Sequence, residues 1–242
     1  MLLEISKSIG QIVADDYRAA VTFKKYGIDF CCKGNRSIGE ACQAKGIDPK
    51  KVYDELDQLC DQPNGSVDFN LWPLDLLAEY IEKVHHSYVR ERTPTIQQFL
   101  AKVYQVHGKN HPELFEIYQQ FIASSQDLAA HMKKEEMILF PFIKSLADAV
   151  GKGNIVSKPH FGTIENPISM MKEEHDIEGE RFKMIATLAN NYVIPDDACN
   201  TYRVVMKMLQ DFESNLHHHI HLENNILFPK AIKLESQYCT QS

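Results

Sequence analysis

The sequence predicts an all-α protein, in which an up-and-down four-helix bundle follows a small helical N-terminal domain. Apolar residues recur at helical spacing along most of the 242 residues. No segment shows a convincing alternation of apolar and polar residues, which is the pattern of a β-strand. The second part of the chain contains long helical stretches with short connections between them, as expected for a bundle.

The N-terminal domain, which we assign to residues 1–62, is predicted to consist of short helices. The stretch SIGQIVADDYRAAVTFKKYGI carries apolar residues at helical spacing and ends at Gly27. Two further short helical segments are separated by Gly46 and Pro49. Turn-forming residues and a low apolar content in DQPNGSVDFN predict a linker at 63–70.

The bundle domain spans residues 71–242, and residues that break helices divide it. Breaks are predicted at Pro94, at the HGKNHP stretch, at the GKGN of 151–154 and at the PDD of 195–197. Helices are therefore expected at about 73–92, 94–107, 112–148, 164–191 and 196–236. Four of these are long enough to form the bundle.

Composition and charge exclude several classes of partner. The chain has 44% hydrophobic and 24% charged residues, which is typical of a globular protein with a substantial core. Its net charge is −7 and it has no long basic run, so neither nucleic acid nor an anionic membrane surface is an expected partner. The N-terminus does not resemble a secretory signal, and no apolar segment approaches the roughly 18 residues that span a bilayer. We expect a cytoplasmic protein.

The bundle sequence contains an internal repeat. HMKKEEMILFP begins at His131 and HIHLENNILFP begins at His219, so that a histidine, a glutamate four residues later and a proline recur at a constant offset of 88. Upstream, HSYVRER from His86 and HDIEGER from His175 share the histidine and a Glu-Arg pair at an offset of 89. The bundle is therefore interpreted as two helical hairpins, each with an early histidine and a later histidine-glutamate pair.

This repeat predicts a metal centre. Residues four apart on an α-helix lie on one face about 6 Å apart, so each HxxxE motif directs an imidazole and a carboxylate to the same point. The candidate ligands are two carboxylates and four imidazoles: Glu135, Glu223, His86, His131, His175 and His219. Such a set suits two first-row metal ions bridged by carboxylates, and the metal would compensate for burying the charges. A single His-Glu pair is usually a solvated surface pair, but two related copies favour metal binding.

The comparison of the two copies also separates ligands from their neighbours. Glu136 corresponds to Asn224, so it is not predicted to be a ligand. Three histidines have no counterpart in the first copy and are interpreted as surface residues or as residues that support the ligands: His217, His218 and His221. Three others lie in loops or near prolines and are not expected to bind metal: His107, His111 and His160.

The histidine of the first bundle helix has two alternatives. Helical periodicity places His85 on an apolar stripe with Ala78, Ile81 and Tyr88, whereas the register of the repeat selects His86, which we prefer.

The identity of the metal also has an alternative. Zinc in a structural site favours cysteine ligands, and the sequence has no suitable CxxC motif, so carboxylates with imidazoles favour iron or manganese.

The cysteines are too few and too scattered for a disulfide-stapled scaffold, so we expect reduced thiols. They are Cys31, Cys32, Cys42, Cys60, Cys199 and Cys239. Cys31 and Cys32 are adjacent. Because a disulfide between neighbours closes a strained ring, these two are interpreted as thiols that are presented together.

The motifs FCCKGNRSIGEAC, HHSYVRER, HMKKEEMILFP, EEHDIEGE and HIHLENNILFP occur along the chain. Together they resemble the iron-sulfur cluster repair proteins, a hemerythrin-like di-iron family also called Repair of Iron Centres, over nearly the whole chain. The resemblance implies two non-haem iron ions, bridged by oxo and carboxylate groups, on the six candidate ligands. It aligns Pro73 to His86 without a gap, which supports His86 over His85, and it matches the family's cysteine pair to Cys31 and Cys32.

The resemblance implies repair of iron-sulfur clusters damaged by oxidative or nitrosative stress, by iron donation or by handling of nitric oxide. In this hypothesis Cys31 and Cys32 pass iron or a nitrosyl group to client proteins; alternatively, they only pack the small domain. The expected partners are iron-sulfur client proteins, nitric oxide and oxygen, and a homodimer stays open. Two other functions are considered, an oxygen or nitric oxide carrier or sensor and a di-iron nitric oxide reductase. Ferritin-like oxidases are disfavoured because they use a Glu-x-x-His order.

Overall fold

The computed structural model describes residues 7–60 and 67–239. Residues 63–66 of the predicted linker lie outside these ranges, and Phe69–Leu71 forms a short 3-10 turn. In the described ranges the regular structure is helical, with one isolated β-bridge between Val156 and Cys239. The predicted all-α class is confirmed. None of the described helices is both long and apolar enough to cross a membrane.

Four short helices form the N-terminal unit: α1 (Ile9–Asp15), α2 (Ala19–Lys25), α3 (Ile38–Lys45) and α4 (Pro49–Cys60). Helices α1 and α3 each begin at a capping box, in which a serine side chain and the side chain three residues later satisfy each other's backbone N–H groups. Helix α3 ends at Gly46, whose positive φ of 66° suits glycine.

One predicted helical stretch is divided in the structure. The sequence up to Gly27 forms both α1 and α2, because the Asp16 carboxylate accepts a hydrogen bond from the backbone N–H of Arg18 at 3.0 Å and also binds its guanidinium. Such a local side-chain bond competes with the helical hydrogen bonds and turns the chain.

Within residues 67–239 the bundle contains four long helices. Helix α5 joins Leu74–Tyr80, a π-helical turn at Ile81–His86 and Ser87–His107. Helix α6 joins Glu113–Lys134, a π turn at Glu135–Leu139 and Phe140–Lys152. Helix α7 is Glu165–Leu188. Helix α8 joins Asn200–Leu222, a π turn at Glu223–Leu227 and Phe228–Tyr238. Consecutive helices pack together, and α8 packs back on α5 to close the bundle.

The predicted break at Pro94 is wrong, because α5 continues through this residue. Proline removes the hydrogen bond to the carbonyl four residues earlier, and that residue is Arg90. Both Pro94 and Arg90 are exposed, so water can solvate the freed carbonyl. The neighbouring Thr93 hydroxyl donates to the Val89 carbonyl at 2.7 Å, which adds a bond to this turn.

The other predicted breaks do separate helices, although some ends differ. Helix α6 runs four residues beyond the expected end, to Lys152, and stops at Gly153, which has a positive φ of 66°. Helix α7 ends at Leu188 rather than 191, because Asn190, Asn191 and Tyr192 all adopt left-handed backbone conformations.

Two hydrophobic clusters fill the part of the protein that the structure describes. The larger one joins the N-terminal helices to one half of the bundle, where Phe121, Phe182 and Phe212 pack ring against ring. The smaller one fills the other half around Phe140 and Phe228. The layer of polar residues described below lies where the two clusters meet.

The N-terminal unit is docked tightly on α8. The side chain of Asn225 donates to the Phe30 carbonyl at 3.1 Å, and its amide lies where a Cβ of Gly10 would stand, 2.3 Å from the nearest atom. Any side chain at Gly10 would therefore displace Asn225. Lys24 of α2 adds an ion pair with Glu213 at 2.9 Å.

We predict that Phe121→Ala lowers the free energy of unfolding by about 3–5 kcal/mol, because it empties a fully buried site in the larger cluster. Phe115 of the same helix is 47% exposed, and Phe115→Ala is expected to cost less than about 1 kcal/mol. Denaturant unfolding of the metal-free variants measures both. Equal losses in the two variants would contradict the assigned core.

Candidate metal centre

All six predicted ligands lie at one level of the bundle. His86 ends the π turn of α5, while Glu135 and Glu223 begin the π turns of α6 and α8. His131 and His219 stand four residues before these glutamates, and α7 supplies the sixth residue without a π turn. A π turn adds one residue to a helix and occurs frequently at functional sites. Here three of the four bundle helices carry one at the ligands.

The six side chains form two groups that share both glutamates. We name them position A (His86, His219, Glu135, Glu223) and position B (His131, His175, Glu135, Glu223); within each, the potential ligand atoms lie within 4.8 Å of one another. The two Nε2 atoms are 3.3 Å apart at position A and 3.1 Å apart at position B. Each position therefore offers two imidazoles and one oxygen from each carboxylate.

Each glutamate divides its oxygens between the two positions. Glu135 presents Oε2 to His86 at 3.4 Å and Oε1 to His131 at 3.3 Å. Glu223 presents Oε1 to His219 at 3.0 Å and Oε2 to His175 at 3.1 Å. A carboxylate with one oxygen toward each of two neighbouring ions is a bridging ligand. The arrangement can thus hold two cations side by side.

The burial of these groups fits a cation. The glutamates are fully buried, and the four histidines are at most 3% exposed. Both oxygens of Glu135 and Oε2 of Glu223 accept no hydrogen bond of good geometry from the described residues. Buried carboxylates without such partners lose several kcal/mol of hydration, and a metal ion compensates for that loss.

The electrostatics of the site point the same way. Burial opposes ionisation, but His131 and His86 hold the pKa of Glu135 well below its usual range. Burial alone would also lower the pKa of His131, whereas Glu135 and Glu174 raise it to about 10. The carboxylates therefore attract positive charge to the centre, as protons on the imidazoles or as metal ions.

Three of the histidines are oriented by outer hydrogen bonds. Nδ1 of His86 donates to Glu136 and Nδ1 of His131 donates to Glu174, each at 2.7 Å. Nδ1 of His175 donates to Asn224 at 3.0 Å. Protonation at Nδ1 leaves the lone pair of Nε2 directed at the centre, as a metal ligand requires. These bonds fix both the tautomer and the ring orientation.

The outer partners are held in turn. Glu136 pairs with Arg90, and Glu174 pairs with Lys134. Asn224 donates to the carbonyl of Cys31 at 3.2 Å, which connects position B to the N-terminal unit. Nδ1 of His219 is the exception, since it is buried and has no hydrogen-bond partner among the described residues.

The two residues that follow the bridging glutamates play matching parts. Glu136 is not a predicted ligand because Asn224 stands at its place in the second copy, and the structure gives both residues the same role. Each accepts a hydrogen bond from a histidine at the centre. The repeat therefore contains a signal for the outer partners, in the paired positions after each glutamate. Glu174 has no such signal.

His85 belongs to neither position. Its Nδ1 lies 3.2 Å from the Asn215 oxygen, its ring stacks on His219 with centroids 5.7 Å apart, and burial lowers its pKa to about 3.

The surface interpretation of His221 is wrong, because this residue is buried between Tyr17 and Phe30 of the N-terminal unit. The loop residue His111 binds Glu113 and Asp197, away from the centre.

The cysteine pair lies beside the centre and not in it. The Sγ atoms of Cys31 and Cys32 are 3.8 Å apart, so no disulfide joins them. The Cys32 thiol donates to the backbone carbonyl of His175 at 3.4 Å. Hydrogen bonding to Cys32 and burial hold the pKa of the Cys31 thiol well above its usual value.

Comparisons with known proteins match both parts of the chain. A domain of unknown function (DUF542) matches residues 5–60, and the hemerythrin HHE cation-binding domain matches residues 78–231. The iron-sulfur cluster repair protein ScdA of Staphylococcus haemolyticus is 32% identical, over 92% of this chain and 96% of its own length. The iron-sulfur cluster repair protein YtfE of Musicola paradisiaca is 33% identical, over 95% of this chain and 98% of its own. The YtfE of Yersinia pestis is 32% identical over the same shares.

We predict that Glu135→Ala and Glu223→Ala each lower the bound metal below the two ions per chain that positions A and B can hold, because each change removes one oxygen from both positions. Elemental analysis of the purified variants measures this. Glu173→Ala, on the exposed face of α7, is the control and should keep the full content. Unchanged metal in both bridging variants would refute the assignment of the centre.

We predict that Glu174→Ala weakens metal binding by about 10–100-fold, because it removes the outer partner that orients His131. Competition with a chelator gives the affinity. The adjacent Glu173→Ala changes the net charge by the same amount without touching a ligand. If both variants bind equally tightly, the outer bond contributes nothing to the affinity.

Proposed function

The chain belongs to the family of iron-sulfur cluster repair proteins, and we propose that it holds two iron ions at positions A and B for the repair of damaged clusters. The observation that carries this proposal is the pair of glutamates shared by two buried imidazole pairs. The damage in question is oxidative or nitrosative. The repair proceeds by donation of iron or by removal of nitric oxide.

The donor set supports iron over zinc. Each position offers two nitrogens and two carboxylate oxygens, and no thiol lies in either group. Imidazole and carboxylate ligands suit iron and manganese, whereas structural zinc prefers cysteines in a closed tetrahedral shell. When bound, an iron pair supplies redox chemistry and open coordination positions for a diatomic molecule such as nitric oxide or oxygen.

The protein's own residues would prepare both ion binding and ion release. Glu135 and Glu223 would each hold both ions, and the outer bonds keep three imidazoles in the tautomer that binds metal. Glu136 and Glu174 are only half-buried, and they form ion pairs with the surface side chains of Arg90 and Lys134. The hydrogen bonds of the centre therefore reach the surface on two sides, which gives protons a short path when an ion enters or leaves.

Cys31 and Cys32 are the groups that we propose for transfer to client proteins. They lie in the N-terminal unit, next to the helix turn of His175, and thiolates are soft ligands suited to iron and nitrosyl groups. The partners would be iron-sulfur client proteins and the diatomic gases. We place this activity in the cytoplasm, where such thiols stay reduced. Packing of the small unit is the competing role of the pair.

Reactivation of a damaged enzyme tests the proposal. A [4Fe–4S] dehydratase that has lost iron after peroxide treatment is incubated anaerobically with the iron-loaded protein and dithiothreitol, which supplies the electron that rebuilding the cluster requires. We expect enzyme activity to return while iron leaves the protein, and Glu135→Ala/Glu223→Ala protein to give no recovery. Glu173→Ala is the matched control and should act as the parent does. Recovery no faster than with the same concentration of free ferrous iron would overturn the proposal.

The reactivation assay also tests the cysteine pair, and two further measurements test the alternative functions. Full recovery with Cys31→Ser/Cys32→Ser protein would exclude a thiol transfer step. Reversible oxygen binding without loss of iron would favour a carrier or sensor. Production of nitrous oxide over many turnovers would favour a nitric oxide reductase.

A further inference from the structure

We propose that Asp29, Cys31 and Cys32 form a third, separate site for a single thiophilic divalent cation, such as ferrous iron or zinc. The site lies on the N-terminal unit, beside the iron pair proposed above. The biological use of this site rests on the proposed function, in which the cysteines transfer iron to client proteins. Whether the site binds an ion can be tested separately, by ion binding alone.

The separation of the two thiols suits chelation. Their Sγ atoms are 3.8 Å apart. Two sulfurs that bind one ion at about 2.3 Å with a tetrahedral angle are separated by about 3.8 Å. The distance in the structure thus equals the bite of a bidentate thiolate, and it is far from the roughly 2.05 Å of a disulfide. The carboxylate of Asp29 completes a group whose potential ligand atoms all lie within 4.8 Å of one another.

The loop between α2 and α3, which carries Asp29, Cys31 and Cys32, is organised before any ion binds. Oδ1 of Asp29 accepts hydrogen bonds from the backbone N–H groups of Cys31 and Cys32, each at 3.0 Å. It also accepts from the Cys31 thiol at 3.4 Å. One carboxylate therefore holds both cysteines on the same side of the turn, so little conformational entropy is lost when an ion gathers its ligands.

The three ligands border a cleft that is open to solvent. This cleft, of about 470 Å³, lies between the N-terminal loop and α7 and is lined by Asp176, Glu180 and Lys183 on the helix side. Cys31 is nearly buried, whereas Cys32 is partly exposed. A fourth ligand can come from water or from a thiol of a client protein that enters the cleft. Three protein ligands with one open position are typical of sites that exchange or react, in contrast to closed structural sites.

The site adjoins position B without sharing a ligand with it. The Cys32 thiol contacts the backbone carbonyl of His175, and Asn224 connects the Cys31 carbonyl to the His175 ring. Gly179 allows this approach, since a Cβ there would stand 3.2 Å from the Cys32 sulfur. An ion at the cysteines would therefore lie beside the helix turn that bears His175, and closer to the solvent than an ion at position B.

Ion binding replaces the thiol protons. The two thiols release their protons to solvent as the metal-sulfur bonds form, and no change of oxidation state is required. The Cys32 thiolate can no longer donate to the His175 carbonyl. Ion binding at the cysteines therefore removes a hydrogen bond from the helix turn that carries His175.

Cobalt(II) is the probe for this site, because thiolate ligands give it an intense near-ultraviolet charge-transfer absorption that imidazole and carboxylate ligands do not. We expect anaerobic titration of the full chain to show this absorption with one equivalent of thiolate-bound cobalt. Cys31→Ser and Cys32→Ser should each weaken this binding at least ten-fold, and Asp29→Asn should weaken it several-fold. The asparagine oxygen can still accept the two backbone hydrogen bonds, so the loop keeps its conformation.

Two controls distinguish cobalt bound at this loop from cobalt bound elsewhere on the chain. Cys199→Ser changes an exposed cysteine outside the loop and should leave the absorption unchanged. Glu135→Ala/Glu223→Ala should lose the cobalt of positions A and B while it keeps the thiolate absorption, so failure of the proposed iron pair and failure of this site give different results. Circular dichroism verifies that each variant retains its helices. An absent thiolate absorption in the parent, or one that persists in both cysteine variants, would overturn the proposal.

Discussion

The burial of two carboxylates at the centre of an apolar bundle is the constraint on which the rest of this structure depends. Glu135 and Glu223 are fully buried and lack hydrogen bonds of good geometry at three of their four oxygens, so they need cations on both sides. Four imidazoles converge on them, and outer hydrogen bonds fix the tautomer of three. Hydrophobic clusters above and below exclude water and strengthen every charge interaction in this layer.

The internal repeat makes much of this site predictable from the sequence. The HxxxE spacing defines a helix face, and two copies define two facing helices, so the sequence predicts six residues that the structure does bring together. The choice between His85 and His86 could not be made from α-helical periodicity. A π turn occupies Ile81–His86 and shifts the phase of the helix at these residues, and its hydrogen-bond register has no sequence signature. The break expected at Pro94 fails for a different reason, because the rule that proline ends a helix weakens where the freed carbonyl faces water.

The relation between the two parts of the chain could not be predicted from the sequence. A turn-rich linker indicates a boundary between two domains and does not show how they pack. In the structure the N-terminal helices share a hydrophobic cluster with the bundle, and two asparagines of α8 donate to backbone carbonyls of the loop between α2 and α3. This contact depends on the absence of a side chain at Gly10, where Asn225 occupies the space. The cysteine loop is consequently held against the helix turn of His175, and the small unit forms one wall of the cleft beside the proposed di-iron centre.

The three π turns have a consequence for how this chain can change in length. Each residue of an α-helix advances the direction of its side chain by about 100°, so one residue added to a helix normally turns everything after it away from the core. A π turn absorbs that residue locally, and the segments before and after it both keep their apolar faces inward. Of the three helices with a π turn, α6 and α8 retain the surplus residue where the turn begins at a bridging glutamate, and α5 retains it where the turn ends at His86. Helix α7, which carries His175, has no π turn and keeps the ordinary number of residues per turn.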